Sequence, residues 1–303
     1  MTAVDALLAG DEFALLPENA AEIGLTGPLP AGRRTTVDTA AGRISALRWG
    51  AEPPQVVLLH GGGQNAHTWD TVVLALGVPA LAVDLPGHGS SDWRDDADYS
   101  PQSNATTVAA ALTEFGVSGV PVVGMSLGGL TGIALTASHP ELVTGLAVVD
   151  VTPSVLARVA EMTTAQRGTT ALIGGPSSFD DVEEMMAAAV AAAPQRPATS
   201  VRRGVLHNSR RLPDGRWAWR YDRPRGQGPA VYEQLWEDLA RIDVPVLLVR
   251  GGDSAFVGDE DAAEFRRRHP RTTVAVVEGA GHSVQSDRPR ELAQVLRQEL
   301  LAR

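Results

Sequence analysis

The chain has 303 residues, 44% of them hydrophobic and 20% charged, with a formal net charge of −10 and no cysteine. That length suits one large domain or a core domain carrying an insertion. The acidic balance argues against nucleic acid as a partner, because phosphate binding needs a basic surface. Without cysteine there is no disulfide, no thiolate metal site and no cysteine nucleophile.

The first residues, MTAVDALLAGDEFALL, carry Asp5, Asp11 and Glu12 and no basic side chain, unlike a secretory signal. No apolar run approaches the ~18 residues of a membrane span, so a soluble cytoplasmic protein is expected. Residues 1–33 read as a short helix or an arm over the core. TTVDTAAGRISALRWG reads as two strands joined by a turn near Gly42. QVVLLH (55–60), PALAVD (79–84), VPVVG (120–124), GLAVVD (145–150), VPVLLVR (244–250) and TTVAVVE (272–278) are short continuous apolar runs. Such runs mark strands buried on both faces. Helix-length stretches follow most of them, near 66–76, 101–115, 127–138, 259–268 and 288–302. The alternation predicts a mostly parallel central sheet with helices on both faces.

The stretch between Asp150 and Val244 is too long for a simple crossover. It contains SSFDDVEEMMAAAVAAAP, which suits an amphipathic helix over 179–191 with Ser178 as N-cap, and an Asp214-Gly215 turn. The expected organisation is a core over 1–150, a mostly helical lid over 151–241, and the rest of the core over 242–303. Met185 and Met186 on the lid helix are expected to read an apolar part of the substrate, since methionine repacks readily.

Gly124-Met125-Ser126-Leu127-Gly128 joins a predicted buried strand to a predicted helix. A serine between two glycines at such a junction suits a nucleophile held on a tight, strained turn. Serine needs a base. His282, in EGAGHSVQSDRP after the last strand, falls at the same carboxyl edge of the sheet. Asp150 and Asp253 both end strands at that edge, and either could orient His282. The oxyanion donors expected are the backbone N–H groups of Leu127 and of Gly62, in the GGGQNAHTW loop.

Residues 55–150 and 244–303 resemble the α/β-hydrolase fold, through HGGGQNAHTWD, VDLPGHGSSD, GMSLGG, VDVTP and EGAGHSVQSDRP. The group includes small esterases, cofactor-free haloperoxidases and C–C bond hydrolases, and the long insertion occupies its lid position. The chain departs from the commoner pattern at the acid. Relatives that carry it after the later strand place it three residues beyond a glycine, and here that position is Ser254. A subset carries it after the strand that follows the elbow helix. The resemblance to that subset favours Asp150 over Asp253.

The resemblance implies hydrolysis of a carboxylic ester or lactone through an acyl-enzyme, on a small substrate with an apolar part. The alternatives are a C–C hydrolase of a ring-cleavage diketone acid and a non-catalytic ligand-binding protein. Asp84 and His88 are expected to shape the rim of the site and His60 to bond backbone. His207, Trp217, Trp219 and Trp236 are expected to pack under the lid. Arg202, Arg203, Arg210 and Arg211 read as solvated, and the Arg266–Arg268 run suits a helix C-terminus. No His/Asp/Glu spacing suggests a metal and no glycine motif suggests a nucleotide, so no cofactor is expected.

Overall fold

The computed structural model describes residues 3–223 and 228–302. Its strands are β1 (Gly32–Thr39), β2 (Gly42–Trp49), β3 (Val56–Leu59), β4 (Ala80–Val83), β5 (Val120–Met125), β6 (Val143–Val149), β7 (Ser209–Arg211), β8 (Trp217–Trp219), β9 (Val246–Gly251) and β10 (Thr273–Val277). Eight of them form one sheet in the order β1-β2-β4-β3-β5-β6-β9-β10. β2 pairs antiparallel with both neighbours, and every pairing from β4 to β10 is parallel.

The apolar runs of β3, β4, β5, β6 and β9 form strands because both faces of the sheet are covered there; β10, expected from sequence to be buried on both faces, is the edge strand and only partly covered, with Val276 exposed. Val57 and Leu59 of β3 enter one core with helices Pro101–Glu114, Leu127–Ser138 and Asp259–Arg268. Val56 and Leu58 enter a second core with helices Asp70–Leu76 and Pro289–Leu296. The strand order reverses at β3: the chain next forms β4 on one side and later β5 on the other. In an open α/β sheet, the crevice at such a switch point is where ligands bind.

Between β6 and β9 the chain builds a cover. It comprises helices Val155–Glu161, Val182–Ala192 and Ala198–Asn208 and the two-stranded β7–β8 hairpin. Phe179, Met185, Val201, Val205 and Trp219 give it a small core of its own. Two expectations need correction here. The helix expected over 179–191 runs Val182–Ala192, and its cap is Asp181, not Ser178. The Asp181 carboxylate accepts from the Glu184 N–H at 2.8 Å, satisfying one of the open donors of the first turn. Helix Pro229–Arg241, assigned to the lid by the sequence, packs on the sheet's first core instead, through Leu235, Trp236 and Leu239.

The N-terminal arm forms helices Ala3–Leu8 and Leu16–Glu22. The second clasps the cover: Glu18 pairs with Arg202 and Glu22 with Arg203. These arginines are therefore paired, not solvated as expected from sequence, and Arg203 is buried. Among the described residues, no helix is long and apolar enough to cross a membrane.

Candidate active site

The carboxyl ends of β3, β5, β6 and β10 bring four loops together. Ser126 follows β5 with φ 50° and ψ −118°, a backbone conformation that residues other than glycine rarely adopt. The flanking glycines are required sterically. A Cβ at Gly124 would run into the carbonyl of Gly128, and a Cβ at Gly128 would run into the carbonyl of Leu59. The helix Leu127–Ser138 can therefore start hard against β5 and β3, which leaves Ser126 standing at its N-terminus.

Ser126 Oγ lies 3.2 Å from His282 Nε2. His282 Nδ1 lies 2.8 Å from Asp150 Oδ2. Asp150 is fully buried and also has positive φ, 53°, at the end of β6. Its carboxylate is held from two further directions: Gly251 N–H donates to Oδ1 at 2.9 Å, and the Ser254 hydroxyl donates to Oδ2. Phe256 stacks on the His282 ring with centroids 3.5 Å apart. Asp253, the other strand-end aspartate, is exposed, and its backbone N–H donates to the Ala280 carbonyl. The structure thus brings Asp150, not Asp253, to the histidine. Ser254 stands where the commoner pattern would place the acid, and from there it bonds the acid that replaces it.

The glycine loop after β3 turns toward Ser126. Gly61 N–H donates to the Gln64 side chain and Gly63 N–H to His88 Nε2. Among the described residues, the N–H groups of Gly62 and Leu127 make no hydrogen bond, and both residues lie beside Ser126 in the fold. Two buried histidines fix this loop. His60 Nδ1 donates to the Gly61 carbonyl while Nε2 accepts from Leu85 N–H. Burial, then the neighbouring His88, pushes the His60 pKa down to about 3, so the ring is neutral and can accept. His88 is likewise lowered by burial. Asp84 accepts from Ala66 N–H and Ser90 N–H, shaping the adjoining turn as expected.

A cleft of about 1080 Å³, including its open mouth, runs between core and cover. Gly62, Ser126 and His282 line its floor, and Leu172, Ile173, Val205, Trp219 and Tyr221 line the cover side. Met185 and Met186 do not line it. Met185 is fully buried in the core of the cover and Met186 packs against it, so the apolar face of that helix serves the cover's own packing. His207 and Trp219 line the cleft, whereas Trp236 packs edge-on against Phe265 beneath the sheet. The cover is tied to the site by polar contacts. Asn208 donates to the Gly63 carbonyl, and Arg196 pairs with Asp287 in the histidine loop.

Residues 56–295 match the model of the alpha/beta hydrolase family. The chain belongs to that family. Among curated relatives, esterase Rv0045c of Mycobacterium tuberculosis is 55% identical over 299 residues, 98% of each chain. Lipase LipV of the same organism is 28% identical over 82% of this chain and 94% of its own. A solved structure of the Rv0045c esterase, from work on its inhibition by transition metals, superposes with TM-score 0.84 over 95% of this chain and 98% of that one. The E-2-(acetamidomethylene)succinate hydrolase structure, 22% identical with TM-score 0.75 over 89% of this chain and 99% of its own, shares the fold.

Several groups at the site were not singled out from the sequence. Phe256 and the Gln285 amide, which donates to Thr68 Oγ1 and Gln64 Oε1, both support the histidine and glycine loops. His67, Asp70 and His207 also converge, although no spacing had suggested a ligand cluster. His67 and Asp70 are three residues apart, but His207 arrives from the cover, a contact that only the fold creates.

Proposed function

We propose that the protein is a serine hydrolase of carboxylic esters or lactones. The observation that carries this reading is the hydrogen-bonded chain Ser126–His282–Asp150 on a strained strand-to-helix turn. The 55% identity to an esterase along almost the whole of both chains supports the same activity.

In this reading Ser126 Oγ attacks the ester carbonyl carbon as His282 Nε2 takes its proton. Asp150, buried and held by Gly251 and Ser254, fixes the Nδ1–H tautomer and stabilises the imidazolium. The carbonyl oxygen becomes an oxyanion, and the free N–H groups of Gly62 and Leu127 donate to it. Collapse breaks the C–O bond, and the departing alkoxide takes the proton from His282. Water then attacks the acyl-enzyme by the same route, releases the acid and restores the Ser126 hydroxyl. Residues 151–223 act as the lid, and Leu172, Ile173, Val205 and Trp219 on their mixed cleft face select a small substrate with an apolar part.

A serine-directed phosphonate should label one residue per chain, Ser126, and the Ser126→Ala variant should not be labelled. Absence of labelling in the folded wild type would favour a non-catalytic binding protein. A panel of p-nitrophenyl esters, lactones and a ring-cleavage diketone acid then separates ester from C–C cleavage. Turnover confined to the diketone acid would replace the esterase reading.

A further inference from the structure

One cluster in the cleft has no part in the ester chemistry. His67, Asp70 and His207 each offer a ligand atom, and these atoms lie within 4.8 Å of one another. His67 Nδ1 is 2.9 Å from Asp70 Oδ2, and the rings of His67 and His207 stack with centroids 3.9 Å apart. His67 and Asp70 are buried, and His207 is nearly so. Two groups in this cluster lack hydrogen-bond partners. Asp70 Oδ1 is buried without a hydrogen bond, and among the described residues the His207 ring stacks on His67 but makes no hydrogen bond through its nitrogens. An orphaned buried carboxylate oxygen is costly, and in a cluster that also holds an imidazole without a hydrogen bond it points to a missing ligand.

We propose that His67, Asp70 and His207 form a binding site for a divalent transition-metal ion of the zinc class in the wall of the cleft. Two imidazoles and a carboxylate suit such ions and do not suit calcium or magnesium, which take oxygen. Ligand bonds of about 2.0–2.2 Å need donors some 3.3 Å apart, so a tilt of the His207 ring out of its stack completes the set. The ion displaces to solvent the proton held between His67 Nδ1 and Asp70 Oδ2, and the unpartnered Oδ1 gives the same carboxylate a second oxygen to offer it. The surrounding charge is close to balanced: Arg34 is paired with Glu12 and Asp84, and Arg203 with Glu22, while Arg220 faces His207 from the hairpin. His67 and His207 share the cleft with Ser126 and His282, so a bound ion with its waters narrows the space open to substrate.

The competing location is the triad histidine, and the test separates the two. Zn²⁺ is titrated calorimetrically into the metal-free wild type, His207→Ala and His282→Ala, with circular dichroism confirming the fold of each. The proposal expects one ion in the wild type and in His282→Ala. In His207→Ala it expects a loss of affinity beyond the 10–100-fold typical of losing an outer-shell partner, roughly a hundredfold or more. Unchanged affinity in His207→Ala, or loss confined to His282→Ala, overturns it. Should His207→Ala fail to fold, Co²⁺ titration of the wild type reads the same question by NMR. Paramagnetic shifts on the His67 and His207 imidazole protons support the site, and shifts on His282 alone overturn it.

Discussion

The edge of the sheet and the cover above it meet at one cleft, yet they are specified differently. At the edge, backbone geometry leaves almost no freedom. Ser126 and Asp150 hold positive φ, and Gly124 and Gly128 stand where any side chain would strike a carbonyl. In the cover, helices join by a small apolar cluster and a few ion pairs to the arm and the histidine loop. A region fixed by steric necessity tolerates little change, whereas one fixed by modest packing can vary and so set substrate choice.

The largest effect belongs to the edge. Ser126→Ala and His282→Ala should each lower kcat by roughly 10⁴-fold or more on an ester substrate while leaving the thermal unfolding profile intact, because triad members act as a unit. Wild-type kcat in either folded variant would remove it from the chemistry. Gly128→Ala adds only a methyl group but drives it into the Leu59 carbonyl, so backbone must move. It should cost about 3 kcal/mol or more, with activity lost in parallel, as overpacked sites do. Denaturant unfolding measures this, and a change below ~1 kcal/mol would show that the elbow relaxes easily.

The cover should respond otherwise. Ile173→Ala enlarges the cleft beside Gly62 and should shift acyl chain-length preference by about tenfold in kcat/KM, the worth of a methylene or two in an apolar pocket. Met185→Ala, which empties the core of the cover, should cost about 2–5 kcal/mol and leave the shape of that profile unchanged. A shifted profile in Met185→Ala with a constant one in Ile173→Ala would invert the assignment of the cover's two faces.

Those two residues also show where the sequence stops being informative. Apolar runs located every central parallel strand, because burial on both faces leaves no polar alternation to confuse the pattern. The Gly-x-Ser-x-Gly turn and the loop of His282 were legible because the fold's edge places successive strand ends together. Asp150 and Asp253 could not be separated by position alone: both end strands, and only the approach of Gly251, Ser254 and His282 to one carboxylate distinguishes them. The 182–192 helix displayed its apolar face in sequence, but nothing local says whether that face meets substrate or its own neighbours. Helix Pro229–Arg241 likewise shows an apolar face in sequence without showing that it packs on the sheet's first core. His207 meets His67 only through tertiary contact, out of reach of any spacing rule.

A smaller effect tests the loop beneath the oxyanion donors. His60 has its pKa depressed to about 3 in the folded protein, against an ordinary value near 6.5. Below pH 6.5 the unfolded chain takes up a proton that the folded ring refuses. Stability present above that pH is therefore lost as pH falls toward 3, by about 1.4 kcal/mol per unit. Urea unfolding should give a value lower by about 2 kcal/mol at pH 5 than at pH 7 from this ring alone. The fall should be shallower in His60→Gln, and equal slopes would show that the ring does not stay neutral.

The hydrogen bond between His282 and Asp150 at the end of β6 holds the site together. It is tested most directly by kcat/KM for Asp150→Asn and Asp253→Asn on one ester. Asparagine keeps the size of the side chain but removes the charge that holds the imidazolium and its tautomer, a change that cost about 10⁴-fold in the serine-protease triad. A loss of that order is expected in Asp150→Asn and a change within about twofold in Asp253→Asn, whose side chain lies exposed at the surface, as substitutions away from a site's key contacts are usually near neutral. A severe loss in Asp253→Asn with near-normal activity in Asp150→Asn would contradict that pairing.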